Sequence, residues 1–183
     1  ITEYDNKLFC GGGDNLIIID QDQTSLMKGI RGTWRVVPFS HHPNYLVAGT
    51  YSGLYILEKR NGTWDVIHKL EGIGISSKTM FVEDISNSIW VANKESGLFR
   101  ISLSPEFKTT QVRSFNSDEL PTGNNVCISK INDEIVIASR QGLFRYNQIK
   151  DRLEKHTVLE DLLEGNTGYT YISQDKIGDI WYV

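Results

Sequence analysis

Three side chains in this sequence combine reactive chemistry with a repeated setting: Tyr51, Lys94 and Arg140. Each lies in a short polar turn between a small residue and a Gly-Leu-aromatic step. The stretches are Ala48-Gly49-Thr50-Tyr51-Ser52-Gly53-Leu54-Tyr55, Ala92-Asn93-Lys94-Glu95-Ser96-Gly97-Leu98-Phe99 and Ala138-Ser139-Arg140-Gln141-Gly142-Leu143-Phe144. Tyrosine offers an aromatic plane with a polar tip. Lysine and arginine offer charge to an anionic group, and arginine can do so with two parallel hydrogen bonds. That chemistry is binding chemistry. Exposed charged residues are also ordinary in solvated turns, so both readings stand at this stage.

Catalytic and metal-binding inventories point elsewhere. His41 and His42 are adjacent, and neighbours on a strand face opposite sides, so they would not chelate one ion. His68 and His156 are expected on outer strands of different repeats, and no spacing resembles a zinc site. There is no Gly-x-Ser-x-Gly elbow. Carboxylates are numerous, but the sequence defines no pair at a set separation. The stretch Ser173 to Trp181 is one residue away from an Asp-box of sialidase propellers, as a single imperfect copy. Asn61-Gly62-Thr63 matches a glycosylation acceptor but reads first as a hairpin turn. We therefore expect no catalytic activity, no metal and no cofactor in this chain.

Composition agrees with a binding or scaffolding role. The 183 residues are 39% hydrophobic and 23% charged, with net charge −4, which describes a globular domain. Lys and Arg are scattered, so no nucleic-acid footprint is present. No apolar run is long enough for a membrane span. Cys10 and Cys127 sit in apolar runs and read as two buried free thiols.

The elements that must position Tyr51, Lys94 and Arg140 follow from the repeat. Gly53, Gly97 and Gly142 stand 44 (97 − 53) and 45 (142 − 97) residues apart. Before each lies an apolar strand: Tyr45 to Ala48, Ile89 to Ala92, Ile135 to Ala138. Leu8-Phe9-Cys10 through Asn15-Leu16 fits the same frame, with Asn15 at the glycine position and expected to supply left-handed turn geometry. Each repeat holds four β-type segments. In the third these are Val126 to Ile131, Glu134 to Ala138, Leu143 to Tyr146 and Leu153 to Val158. Four strands per repeat of this length make the blade of a β-propeller. The expected fold is all-β, with four-stranded antiparallel blades and between four and five blades over residues 1–183. The repeated hairpin then joins the second and third strands of each blade.

The remaining aromatics and links find places in that frame. Trp90 and Trp181 recur at one strand position and are expected in blade packing. Trp34 and Trp64 both follow Gly-Thr and look like outer strands. The links Leu70 to Lys78, Asn116 to Asn124 and the stretch from Thr157 are expected as loops, the last with a helical turn ended by Gly165-Asn166. Ser76-Ser77-Lys78, Asp118-Glu119 and Asn166-Thr167 would join the hairpin turns on one face, where binding residues concentrate.

Asp175 with Gly178-Asp179-Ile180-Trp181 resembles the D-x-x-G-x-(I/L)-W strand of two-component regulator propeller repeats. Ser88 to Ala92 followed by Ser96-Gly97-Leu98-Phe99-Arg100 is similar to the rest of that repeat. The copies are degenerate, with Trp kept at Trp90 and Trp181 and replaced elsewhere. The resemblance implies the periplasmic sensor region of a bacterial hybrid two-component system, ahead of an immunoglobulin-like domain, a membrane helix and a histidine kinase. It also implies an oligosaccharide ligand, for which Tyr51, Lys94 and Arg140 are the candidate contacts. Under it the chain is a cut from a larger propeller, completed by further blades or by self-association through open sheet edges. A protein-binding scaffold is the alternative, with a glycan-active enzyme behind it.

Overall fold

Strand-forming runs of Val, Ile, Leu and aromatics, broken by Asn, Asp and Gly, fold as antiparallel sheets in a computed structural model of the chain. The structure describes residues 1–115, 119, 126–163, 169 and 171–183. Four sheets have four strands each, in sequential order. The first contains Thr2–Tyr4, Lys7–Gly11, Leu16–Asp20 and Gln23–Met27; the second contains Thr33–Phe39, His42–Thr50, Gly53–Arg60 and Thr63–Lys69. The third contains Thr79–Glu83, Ser88–Asn93, Gly97–Leu103 and Thr109–Phe115; the fourth contains Cys127–Ile131, Glu134–Ser139, Gly142–Asn147 and Arg152–Lys155. A fifth sheet pairs Ile172–Gln174 with Ile180–Tyr182. Pro38 lies on the second sheet's edge strand, where a missing N–H is tolerated. The chain forms two compact units: Ile1–Ile89 with Ile101–Val112, and Trp90–Arg100 with Arg113–Val183.

The repeated phrase is the second hairpin of each four-stranded sheet. Thr50 pairs with Gly53 and Ser139 with Gly142 across two-residue turns. Gly53, Gly97 and Gly142 have φ of 127°, 96° and 120°, a region that disfavours any side chain. A polar residue opens each turn and satisfies its amides. The Thr50 hydroxyl accepts from Ser52 N, the Ser139 hydroxyl from Gln141 N, and Asn93 Oδ1 from the amides of Glu95 and Ser96. Asn15 differs from the expectation: it is not among the left-handed residues. Gly11 pairs with Leu16, so four residues make that turn, and the longer loop turns without a positive φ at Asn15.

Neighbouring sheets meet through backbone at these hairpins. In the first unit, Thr33 N donates to Gly12 O at 3.2 Å and Gly32 N to Gly13 O at 2.8 Å. Ser77 N donates to Thr50 O at 2.9 Å, and Tyr51 N to Gly32 O at 3.0 Å. In the second unit, Tyr169 N donates to Ser139 O at 3.0 Å. Contact this close leaves no room for side chains. A Cβ built on Gly11 would stand 2.1 Å from Thr33 O, and one on Gly49 would stand 2.3 Å from Ser77 O. Beneath the hairpins lie apolar cores. The first unit buries Phe9, Leu16, Ile30, Val36, Leu46, Ala48 and Trp64, among others. The second unit buries Ile131, Val136, Ala138, Leu143, Leu159 and Ile172.

Other expectations need correction. The fourth strand of the fourth sheet ends at Lys155, not Val158, and Thr157–Leu162 is an α-helix. His156 is therefore not in a strand. Its Nδ1 accepts from Leu159 N as the helix N-cap, and its Nε2 lies 3.2 Å from Glu134 Oε2. Trp64 is in the fourth, outer strand of its sheet, but Trp34 is in the first strand, at the opposite edge. Trp90 is fully buried, stacked on Phe115 at 5.6 Å. Trp181, in the two-stranded sheet, is 61% exposed, with its indole N–H donating to Asp175. Cys10 and Cys127 are free thiols, but half-buried rather than buried, and burial pushes the Cys127 thiol up. The links Asn116 to Asn124 and Gly165-Asn166-Thr167, apart from Glu119, lie outside the described residues.

The backbone seam makes a stability prediction. Gly49→Ala is expected to lower unfolding free energy by about 1–3 kcal/mol through overpacking against Ser77 and Met80. Gly13→Ala, with open space around it, is expected to stay within about 0.5 kcal/mol of the parent. Urea midpoints of the two variants check the contrast.

Candidate functional site

The turn chemistry places all three sequence candidates in one structural position. Tyr51, Lys94 and Arg140 each follow the polar residue that opens its hairpin turn, and each is exposed. Tyr51 belongs to the first unit, Lys94 and Arg140 to the second. The fold draws Tyr51 into an aromatic cluster.

That cluster is built from two successive links. Tyr51 is fixed at its backbone by Gly32 O, and its ring lies directly against Gly32, where a Cβ would stand 1.8 Å from Cδ2. Gly32 has φ of 63°. Its lack of a side chain lets the ring settle on the backbone. Trp34, two residues on, meets Tyr51 edge-on, with ring centroids 4.6 Å apart and planes at 68°. Such pairs are worth about 0.5–1.5 kcal/mol beyond area burial. Trp34 remains 40% exposed and Tyr51 58% exposed, so the corner presents ring surface to solvent.

The next link supplies the polar groups. Ser77 is fully buried, held by Thr50 O through its amide and by Ile75 O through its hydroxyl. Its neighbours Ser76 and Lys78 reach Trp34. The Trp34 indole N–H donates to Ser76 Oγ at 3.1 Å, and Lys78 Nζ stands 5.3 Å from the Trp34 ring centroid. Below Trp34 an open groove of about 530 Å3 runs along the strand Thr33–Phe39, with Thr2, Arg35 and Pro38 among its walls. The Arg35 guanidinium lies 4.8 Å from the centre of the Phe81 ring.

Sequence reasoning placed Tyr51 and the Ser76-Ser77-Lys78 link on the binding face, but missed Trp34. The shared Gly-Thr-Trp of Trp34 and Trp64 hides two different positions. The repeat phase separates them. Trp34 precedes Gly53 by 19 residues (53 − 34), as Lys78 precedes Gly97 by 19 (97 − 78), so both stand at the start of a first strand, Trp34 just inside it and Lys78 just before it. Trp64 follows Gly53 by 11 (64 − 53), in the outer strand.

The strongest electrostatic perturbations lie away from this corner and are structural. The Glu154 carboxyl is lowered from 4.5 to about 2 by Lys150, Asn147 and Arg152. Asp151 is lowered mainly by the Tyr146 hydroxyl, which donates to it at 2.6 Å, and also by Arg113. Asp175 is held below the usual carboxylate range first by the Trp181 indole N–H at 2.9 Å, then by backbone amides. Its Oδ1 accepts from Ile177 N and Asp179 N, both at 3.0 Å. Asp175 thus ties a turn with Gly178 at φ of 99° to the following strand. This accounts physically for the D-x-x-G-x-I-W spacing as scaffold. Among the described residues no group of His, Cys, Asp and Glu could hold a metal ion, and no helix is long and apolar enough to cross a membrane.

Known structures share this architecture. Over 99% of the chain, the extracellular domain of the hybrid two-component system BT4673 from B. thetaiotaomicron superimposes with a TM-score of 0.65 at 17% identity. The corresponding domain of BT3049 from the same organism covers 93% of the chain with a TM-score of 0.62 at 18% identity. The β-propeller domain of Cps50 (Swd1) from Myceliophteria thermophila covers 93%, with a TM-score of 0.59 at 13% identity. The chain spans 24% and 23% of the two B. thetaiotaomicron domains and 64% of the third. No family model matches the chain, and neither does any curated protein. At these identities the likeness establishes the fold: the chain is a β-propeller structure with four complete blades and two strands of a further sheet.

Glu154 gives a pH prediction. Its folded value lies below its ordinary value, so its contribution to stability is complete above about pH 4.5 and is lost as pH falls towards 2. An NMR titration should find the Glu154 side-chain carboxyl carbon midpoint near 2. Glu154→Gln should flatten the stability profile in that window.

Proposed function

We propose that this chain is a ligand-sensing part of an extracytoplasmic propeller in a two-component receptor, and that its ligand is an oligosaccharide. The observation that carries the proposal is the exposed Trp34–Tyr51 corner, held by backbone hydrogen bonds on a rigid hairpin. Ring surface flanked by hydroxyl and amine groups suits a sugar, whose C–H faces stack on aromatics while its hydroxyls exchange hydrogen bonds. The likeness to extracellular domains of hybrid two-component systems supports the receptor context and a periplasmic location. The role is binding rather than catalysis.

A protein-binding role is the second reading. Helix Thr157–Leu162 shows Val158 and Leu162 to solvent, 73% and 68% exposed and four residues apart on one face. Apolar residues so placed suit a partner surface.

A thermal-shift screen of the chain against saccharides separates the two. Binding at a hundred times Kd raises stability by about 2.7 kcal/mol, a readily measured shift in melting temperature. The expected outcome is a shift with at least one oligosaccharide. No shift across the panel, together with a co-purifying protein lost on Val158→Asp, favours the protein-binding role.

A further inference from the structure

The groove beside Trp34 carries a charge signature that narrows the ligand class. Its walls include Trp34, Arg35, Val36, Pro38 and Lys78, and its charged side chains are Arg35 and Lys78, both cationic. Both charged side chains of the groove carry the same sign, which suits an anionic group. Its volume, about 530 Å3, falls within the range of small-ligand sites.

We propose that this groove is a subsite for an anionic sugar ring, one bearing a carboxylate or a sulfate. The assignment rests on the oligosaccharide reading above and adds position and charge to it. The sugar ring stacks at the Trp34–Tyr51 corner. Its anionic substituent lies between Lys78, which already hovers 5.3 Å from the Trp34 ring centroid, and Arg35, on the next residue of the same strand. Lysine meets either anion as a point charge, and arginine meets both with a planar fork. The Ser76 hydroxyl, which accepts from the Trp34 indole N–H, fixes the rotation of the ring that the sugar meets.

Trp34 is the stacking residue, because it belongs to both the corner and the groove. Lys78 is the residue that selects for charge. Arg140, which the sequence alone offered for the same anion, lies in the second unit and is not needed for this subsite.

Calorimetric titration of the 183-residue chain with three disaccharides tests the assignment: one containing a uronic acid, one sulfated, one neutral. At least one anionic disaccharide should bind about tenfold tighter than the neutral one, the scale of one charge-assisted contact. Lys78→Gln should erase that preference, weakening the preferred anionic disaccharide about tenfold and the neutral one by less. Trp34→Ala should weaken every binding disaccharide about tenfold or more, and Trp34→Phe should recover part of the loss. Unchanged melting temperatures check that the variants fold. The uronate and sulfate arms show which anion is preferred. Anionic binding that survives both Trp34→Ala and Lys78→Gln overturns this subsite and leaves the oligosaccharide reading standing, as does equal binding of the neutral sugar. Failure of all three disaccharides, alongside a silent saccharide screen, overturns both.

Discussion

Everything in this structure depends on the backbone of one hairpin touching the link into the next sheet. Thr33 N to Gly12 O, Ser77 N to Thr50 O and Tyr169 N to Ser139 O are the same bond in three copies. A backbone donor buried without a partner costs about 1–3 kcal/mol, so these bonds are obligatory where water is excluded. They force small residues onto the hairpin: Gly11 and Gly49 face carbonyl oxygens at distances that no Cβ survives. Ala48 and Ala138 lie in the cores beneath. The repeated sequence phrase is the chemical trace of that seam.

The same seam makes the candidate site rigid. Because Ser77 is pinned to Thr50 and fully buried, its neighbours Ser76 and Lys78 are set at Trp34. Because Tyr51 N is pinned to Gly32, the Tyr51 ring is laid on Gly32 and against Trp34. Ligand binding to such a corner avoids most of the entropy of ordering loops.

The fold was legible because it is written in spacing and in glycine. The step between Gly53, Gly97 and Gly142 gave the blade, and all three proved left-handed. The binding corner was only half legible. Tyr51 could be found inside the repeat, whereas Trp34 sits outside it, in a Gly-Thr-Trp string that also occurs in an outer strand. Trp90 is covered by Phe115 and Tyr146, as blade packing requires. The sequence places His156 in a strand, because apolar spacing through Val158 does not distinguish a strand end from a helix start. Its ring nitrogen, accepting from Leu159 N, decides for the helix.

The central claim is that a saccharide meets this chain at Trp34. The four tryptophan indole N–H signals report on it directly in a two-dimensional NMR titration. Trp64 and Trp90 are buried, Trp181 is tied to Asp175, and Trp34 donates to Ser76 at the mouth of the groove. Adding an anionic disaccharide should move the Trp34 signal and leave the other three in place. A titration that moves the Trp181 signal instead, or none of the four, would contradict the account.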